Sequence, residues 1–542
     1  MKKGILFTIG LLGVAYSIAQ NDEPDMTVLQ QIRHEGFTNS QVMDIAFYLT
    51  EVSGPRLNNS PGFRRAANYT KNKLTEWGLE NARLDPWGDW GKSWELKRCY
   101  VAMTAPYYKP IIAFPKSWTT GTNGFQQADI VVLSAGDAKD LDHYKGKLEG
   151  KVILLPRLDS LEPAYAADAS RYSDEELKEM ADWKPETGQV NQSSKSLKTG
   201  MSIGANLVGG KGYSPSEEES LYSPLEDGGG DGSKGGLLTY SRLKEFAREQ
   251  GAVAILSTSP RGRDGTLFVQ GGGAWAANTA ENFPDIMLAF EDYMMLQRLA
   301  LHHIPVKLEM DVKTKFAADD LKGYNVIADI KGTDPKLKNE LVIIGAHLDS
   351  WHGSVGATDN AAGCAVMMEV MRILKTLKAK PRRTIRIALW GGEEQGLLGS
   401  KNYVRQHFTD TATQQYNAAG DKISVYFNLD NGTGKIRGIY LQGNAAVQPV
   451  FTKWLAPFKD LGAGTITMQR TGGTDHLSFD AIGLPAFQFI QDDIEYDTRT
   501  HHTNMDSYDH LQAGDLKQAA VIIASFVYNA AQKNEKLPRK GK

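Results

Sequence analysis

Leu341-Val342-Ile343-Ile344-Gly345-Ala346-His347-Leu348-Asp349 is an uninterrupted apolar run that closes on a histidine and an aspartate. A run without polar alternation fits a strand covered on both faces, because a half-exposed strand would place polar residues at every second position. The pattern recurs. Residues 384–390 run into Gly391-Gly392-Glu393-Glu394, and residues 424–429 run into Asp430. Between the first two, Gly356-Ala357-Thr358-Asp359-Asn360 opens a helical segment to residue 377, where an acid is expected as a cap.

Outward from that stretch, short apolar strands alternate with helices from about residue 316 onward: strands at 325–330, 341–346, 384–390, 424–429 and 486–490, helices at 360–377 and 399–407. Such alternation predicts an α/β fold with a doubly wound, mostly parallel sheet. Sites in sheets of this kind lie beyond the carboxyl ends of the strands. His347, Glu393, Glu394 and Asp430 all fall there.

Each residue has an ordinary explanation alone: Asp359 as a helix cap, Glu393 and Glu394 as a solvated pair, His347 as a satisfied core histidine. Their joint placement at one sheet edge favours chemistry instead. Imidazole and carboxylate oxygen suit zinc, and two neighbouring ions need one carboxylate able to bridge them. Asp349, two residues beyond His347 on the same side of an extended chain, is expected to fix the His347 tautomer. Glu393 and Glu394 diverge in direction, so one can hold metal while the other serves as a base.

The rest of the chain bounds the organisation. Of 542 residues, 41% are hydrophobic and 61 Lys+Arg balance 64 Asp+Glu, so neither disorder nor a nucleic-acid partner is indicated. Lys2 and Lys3, an apolar run over 5–15 and Ser17-Ile18-Ala19 read as a signal peptide over residues 1–19, and hence as export to the periplasm or outside. That run is shorter than the roughly 20 residues a membrane span needs, so no stable membrane insertion of the mature chain is expected. Cys99 and Cys364 are too few to staple an exported chain of this size. Residues 61–77 predict an amphipathic helix capped by Asn59-Ser60, residues 97–113 strands, and residues 240–250, 253–256 and 283–288 the parts of a small α/β module. Between them lies a polar stretch at about 159–236, whose segment 214–236 is too rich in glycine and acid to order itself.

The motifs H-x-D at His347 and Asp349, G-A-T-D-N ending at Asn360, G-G-E-E-Q-G over 391–396, N-L-D at Asp430, G-G-T-D-H at His476 and H-T-N-M-D-S from His502 resemble the co-catalytic zinc exopeptidases. That family includes bacterial leucyl aminopeptidases, carboxypeptidase Q and glutamate carboxypeptidase. The resemblance implies two Zn2+ ions, with Asp359 bridging, Glu394 and His502 completing one site, and His347 and Asp430 the other. It implies Glu393 as general base, His476 beside the substrate as an aid to the oxyanion, and a cis Asp359–Asn360 bond. In the doublet His501-His502, the residue followed by Thr is taken as the ligand.

Segments 128–132, 146–154 and 251–255 resemble a protease-associated domain. The expected division is therefore a peptidase domain over 20–122 and 316–542, interrupted by a protease-associated domain over 123–315. The implied function is exopeptidase action on short peptides, of the aminopeptidase or dipeptidase type, with a carboxypeptidase of the same family as the alternative. Three rivals are weaker. Gly200-Met201-Ser202-Ile203-Gly204 matches a nucleophile elbow, but polar residues stand where that motif needs a strand. Single-zinc glutaminyl cyclases and non-catalytic receptor relatives are disfavoured by the full ligand set. Oligomeric state is not legible.

Overall fold

The computed structural model describes residues 23–185, 239–280 and 282–541. The expected signal segment, the 214–236 stretch and Gly200 to Gly204 lie outside them. Eight strands form the sheet that carries the site: Glu80–Asp89 (β1), Lys322–Ile330 (β2), Leu341–His347 (β3), Thr384–Trp390 (β4), Ile423–Asn428 (β5), Ile436–Tyr440 (β6), Thr465–Thr467 (β7) and Ala486–Gln491 (β8), in the order β1-β2-β4-β3-β5-β8-β6-β7. β4, β3, β5 and β8 run mutually parallel, as the apolar runs predict. The flanks are antiparallel: β1 to β2, β2 to β4 and β6 to β8. The sheet is thus parallel at its centre and mixed overall.

The unbroken apolar character of β3 follows from its two covers. Val342, Ile344 and Ala346 pack into one core with helix Ala362–Thr376 and helix Ala513–Gln532, while Ile343 packs into a second with Ala388, Trp390, Tyr426 and Phe479 on the opposite face. Burying a Val or Ile side chain contributes about 1.5–3 kcal/mol, so neither face tolerates a polar substitution. The expected helix near the amino end is Pro61–Glu76, started by Ser60, whose hydroxyl accepts from Phe63 N at 3.2 Å, with proline in the first turn.

A second eight-stranded sheet joins Lys109–Pro110, Ser93–Ala105, Lys307–Ala317, Gln126–Val132, Val152–Leu154, Ala254–Ser257, Asp285–Leu288 and Ala113–Pro115, in that order. Ser93–Ala105 pairs antiparallel with Lys307–Ala317 along its length. Strands that the sequence reading leaves in the peptidase part therefore belong to this sheet, since their partners lie some 200 residues on and leave no local trace. Within the polar stretch, Asp174–Asp182 is a helix with a Ser173/Glu176 capping box, and its Leu177 and Met180 pack on Tyr440 and Ile490.

Candidate metal centre

The carboxyl ends of β3, β4 and β5 deliver His347, Glu393, Glu394 and Asp430 to one point, and the loop after β8 returns His502 to it. Asp359 stands in the middle. Its Oδ1 lies 3.0 Å from His347 Nε2 and its Oδ2 3.2 Å from His502 Nε2. His347 Nε2 is also 3.2 Å from Asp430 Oδ1, and His502 Nε2 is 2.9 Å from Glu394 Oε2. Glu393 Oε2 stands back at 4.0 Å from His347 Nε2. The two oxygens of one carboxylate thus face two separate imidazole–carboxylate pairs. The Asp359–Asn360 peptide is cis, as the resemblance implies.

This donor set fits two cations. Asp359 Oδ2 and Glu394 Oε1 are buried and accept no hydrogen bond, a costly state for carboxylate oxygen unless a cation completes it. The electrostatics agree. Burial opposes charge on His347, yet the carboxylates of Asp430, Glu393 and Asp359 outweigh it and hold its pKa well above the ordinary value. Burial and neighbouring carboxylates push Glu393 well up, Glu394 to about 7 and Asp475 to about 8. Protons occupy these groups where cations would otherwise balance them.

Ring nitrogens can be assigned from their partners. His347 Nδ1 donates to the Asp349 carbonyl at 3.0 Å, leaving Nε2 bare for a metal. Arginine only donates, so the Arg261 guanidinium 3.1 Å from His501 Nδ1 makes that nitrogen an acceptor and puts the hydrogen on Nε2. His501 is therefore an N–H donor, 3.9 Å from Asp359 Oδ2. Gln270 lies 2.8 Å from His502 Nδ1. Amide N and O are exchangeable, and with its oxygen to the ring Gln270 leaves His502 Nε2 bare. The rings of Phe268 and Trp351, at 5.8 and 6.1 Å, hold that imidazole in place.

Three expectations change. Asp349 orients His347 through its backbone carbonyl; its carboxylate, 3.8 Å from Nδ1, instead accepts from Glu393 N at 3.2 Å and Glu394 N at 3.4 Å. It fixes the turn that carries both glutamates. Gly392 makes that turn at φ +74°, a conformation that strains any side chain. Asp359 is not a helix cap, because its φ/ψ of −126°/90° is extended and the helix starts at Ala362. His476 is buried, burial pushes its pKa down to about 4, and its hydrogen bonds go to Gln442 and Thr471 rather than to the cluster.

Sequence reasoning missed several supports. Asp506 accepts from Thr358 N at 2.6 Å and Asp359 N at 3.1 Å, aiming the central carboxylate; the fifth residue of H-T-N-M-D was its only signal. Arg56 is fully buried behind the site and donates to the carbonyls of Leu348, Gly356 and Leu49 at 2.7, 2.7 and 3.2 Å. Burial, with the charges of Asp359, Asp430 and Glu394, holds the Tyr496 phenol protonated.

Comparison with known proteins fits this geometry. The model of peptidase family M28 matches residues 325–527. Carboxypeptidase Q of Rattus norvegicus is 28% identical over 258 residues, 47% of this chain and 51% of its own, so the chain spans about half the length of that relative. Aminopeptidase YwaD of Bacillus subtilis is 28% identical over 350 residues, 61% of this chain and 71% of its own. The solved peptidase M28 precursor of Shewanella amazonensis shares the fold at TM-score 0.63 and 23% identity, over 97% of this chain and 100% of that one. His347, Asp359, Glu394, Asp430 and His502 all lie within the matched stretch. Over residues 325–527 the chain is thus similar to peptidase family M28.

Proposed function

We propose that this chain is an exported two-zinc exopeptidase that hydrolyses short peptides, of the aminopeptidase or dipeptidase type. The observation that carries the reading is Asp359, whose two oxygens face His347 and His502 separately. His347 and Asp430 would hold one ion, Glu394 and His502 the other, with Asp359 shared. When bound, two zinc ions supply Lewis acidity for the peptide carbonyl and lower the pKa of water. Glu393, displaced from the ligand positions but within the cluster, takes the proton of the attacking water and returns it to the leaving amine nitrogen. His501 Nε2–H, 3.9 Å from Asp359 Oδ2, would donate to the carbonyl oxygen as charge develops there.

The second sheet reads as the protease-associated module, and its loop over 258–273 walls the site. The apolar start of the chain supports export, and no helix among the described residues is long and apolar enough to cross a membrane. The reading is tested by comparing a free dipeptide with its N-acetylated form and with a doubly blocked peptide cleavable only internally. The free dipeptide is expected to be cleaved fastest; faster cleavage of either blocked substrate contradicts exopeptidase action at a free amino end.

A further inference from the structure

Beyond Val152–Leu154 of the second sheet the polar stretch crosses to the sheet that carries the site, and residues 168–172 lie antiparallel beside residues 492–498. Ser170 and Ile494 exchange both main-chain hydrogen bonds at 2.9 Å. Tyr172 N donates to Asp492 Oδ1 at 3.0 Å, Arg437 Nη1 donates to the Tyr172 carbonyl at 3.0 Å, and Thr498 Oγ1 donates to the Asp168 carbonyl at 2.8 Å. Arg171 pairs with Asp492 and Asp515, and the helix Asp174–Asp182 seats Leu177 and Met180 on Tyr440 and Ile490. At the head of this strap, Asp168 Oδ2 accepts from Arg499 Nη2 at 2.6 Å and Oδ1 accepts from Arg263.

The segment held in this way ends in a candidate ligand. Arg499 stands three residues before His502, in the turn Tyr496–Thr500, and its carbonyl accepts from Thr503 Oγ1 at 2.6 Å. His502 has φ +61°, a left-handed conformation that a residue with a side chain keeps only where its surroundings impose it. We infer that Asp168 is a positioning residue of the metal centre: through Arg499 it braces the turn that presents His502, and so sets the affinity of the ion that His502 shares with Glu394. The inference rests on the two-zinc reading. A single exposed ion pair contributes little. Asp168 differs, because its carboxylate is only 20% exposed, engages two guanidinium groups, and belongs to a residue whose carbonyl is itself held by Thr498. The other ion is independent of the brace, since His347 and Asp430 are carried by β3 and β5, whose ladders do not involve the strap.

The test is a zinc titration against a chelating indicator on wild type, Asp168→Asn, Asp168→Glu, Arg499→Gln and the Asp168→Asn/Arg499→Gln double variant. Glu394→Gln identifies which binding step belongs to the His502 ion. Asp334→Asn is the control, because it removes the pair with Arg382, whose carboxylate is also 20% exposed, at the opposite end of β3. In Asp168→Asn and in Arg499→Gln the His502 step is expected to weaken about tenfold, the lower end of what loss of an outer support costs a metal site. The other step should stay unchanged, the double variant should lose no more than either single, and Asp168→Glu should recover part of the loss. Asp334→Asn should alter neither step. Equal weakening of both steps, or the same loss in Asp334→Asn, overturns the inference in favour of general loosening. Two unchanged steps in Asp168→Asn overturn it and leave the two-zinc reading intact. Should Asp168→Asn fail to fold, Arg499→Gln decides by the same outcomes. A wild type that binds a single zinc ion removes the two-zinc reading and the inference with it.

Discussion

Glu393→Gln keeps the shape of the side chain and removes its capacity to accept a proton, so fold and zinc content should persist while kcat falls on the order of a hundredfold or more. Undiminished turnover at full zinc occupancy would remove Glu393 from its role. At this scale the sequence shows what ends an apolar run and little else. His347, Glu394 and Asp430 were legible because each follows a strand that must be buried. The Asp349 side chain was misread because the partner of His347 Nδ1 is a main-chain carbonyl, which no residue identity reveals. His476 turns its ring nitrogen to Gln442 and Thr471, a direction that motif adjacency does not give. Arg261 and Gln270 were invisible, since each meets its histidine across more than 230 residues of chain.

Helix Ala362–Thr376 is held against β5 by the absence of a side chain at Gly363, where a Cβ would lie 2.3 Å from Asn360 Oδ1 and 2.4 Å from the Leu429 carbonyl. Alanine usually stabilises a helix interior by about 1 kcal/mol over glycine. Here the sign reverses. Gly363→Ala should destabilise by roughly 1–3 kcal/mol and lower zinc affinity, because the backbone contact lies directly beyond Asp359 and before Asp430. Chemical denaturation beside a zinc titration checks this, and a stabilised variant with normal zinc affinity would refute the packing account. The central strands and their helices were readable from periodicity alone, whereas the antiparallel edges and the strand Ser93–Ala105 were not, because their pairing is decided by distant partners.

Across the whole molecule the centre concentrates buried acids whose charge only cations balance. Without metal, burial first of all raises Asp349 to about 6, Glu394 and Asp506 to about 7 and Asp475 to about 8. Unfolded carboxyls titrate near 4, so the stability linked to these groups is complete below that pH and is lost as pH rises through 6 to 8. The melting temperature of the metal-free protein should therefore fall between about pH 5 and pH 9, and zinc should restore more stability at the alkaline end, with proton release on binding. A metal-free profile flat across that range would show that the acids are already balanced. Zinc stoichiometry after dialysis against metal-free buffer, read by elemental analysis, bears most directly on the shared-carboxylate centre. Two zinc ions per chain in the wild type and loss of both in Asp359→Ala are expected; a wild type that holds one, or an Asp359→Ala variant that keeps two, would contradict it.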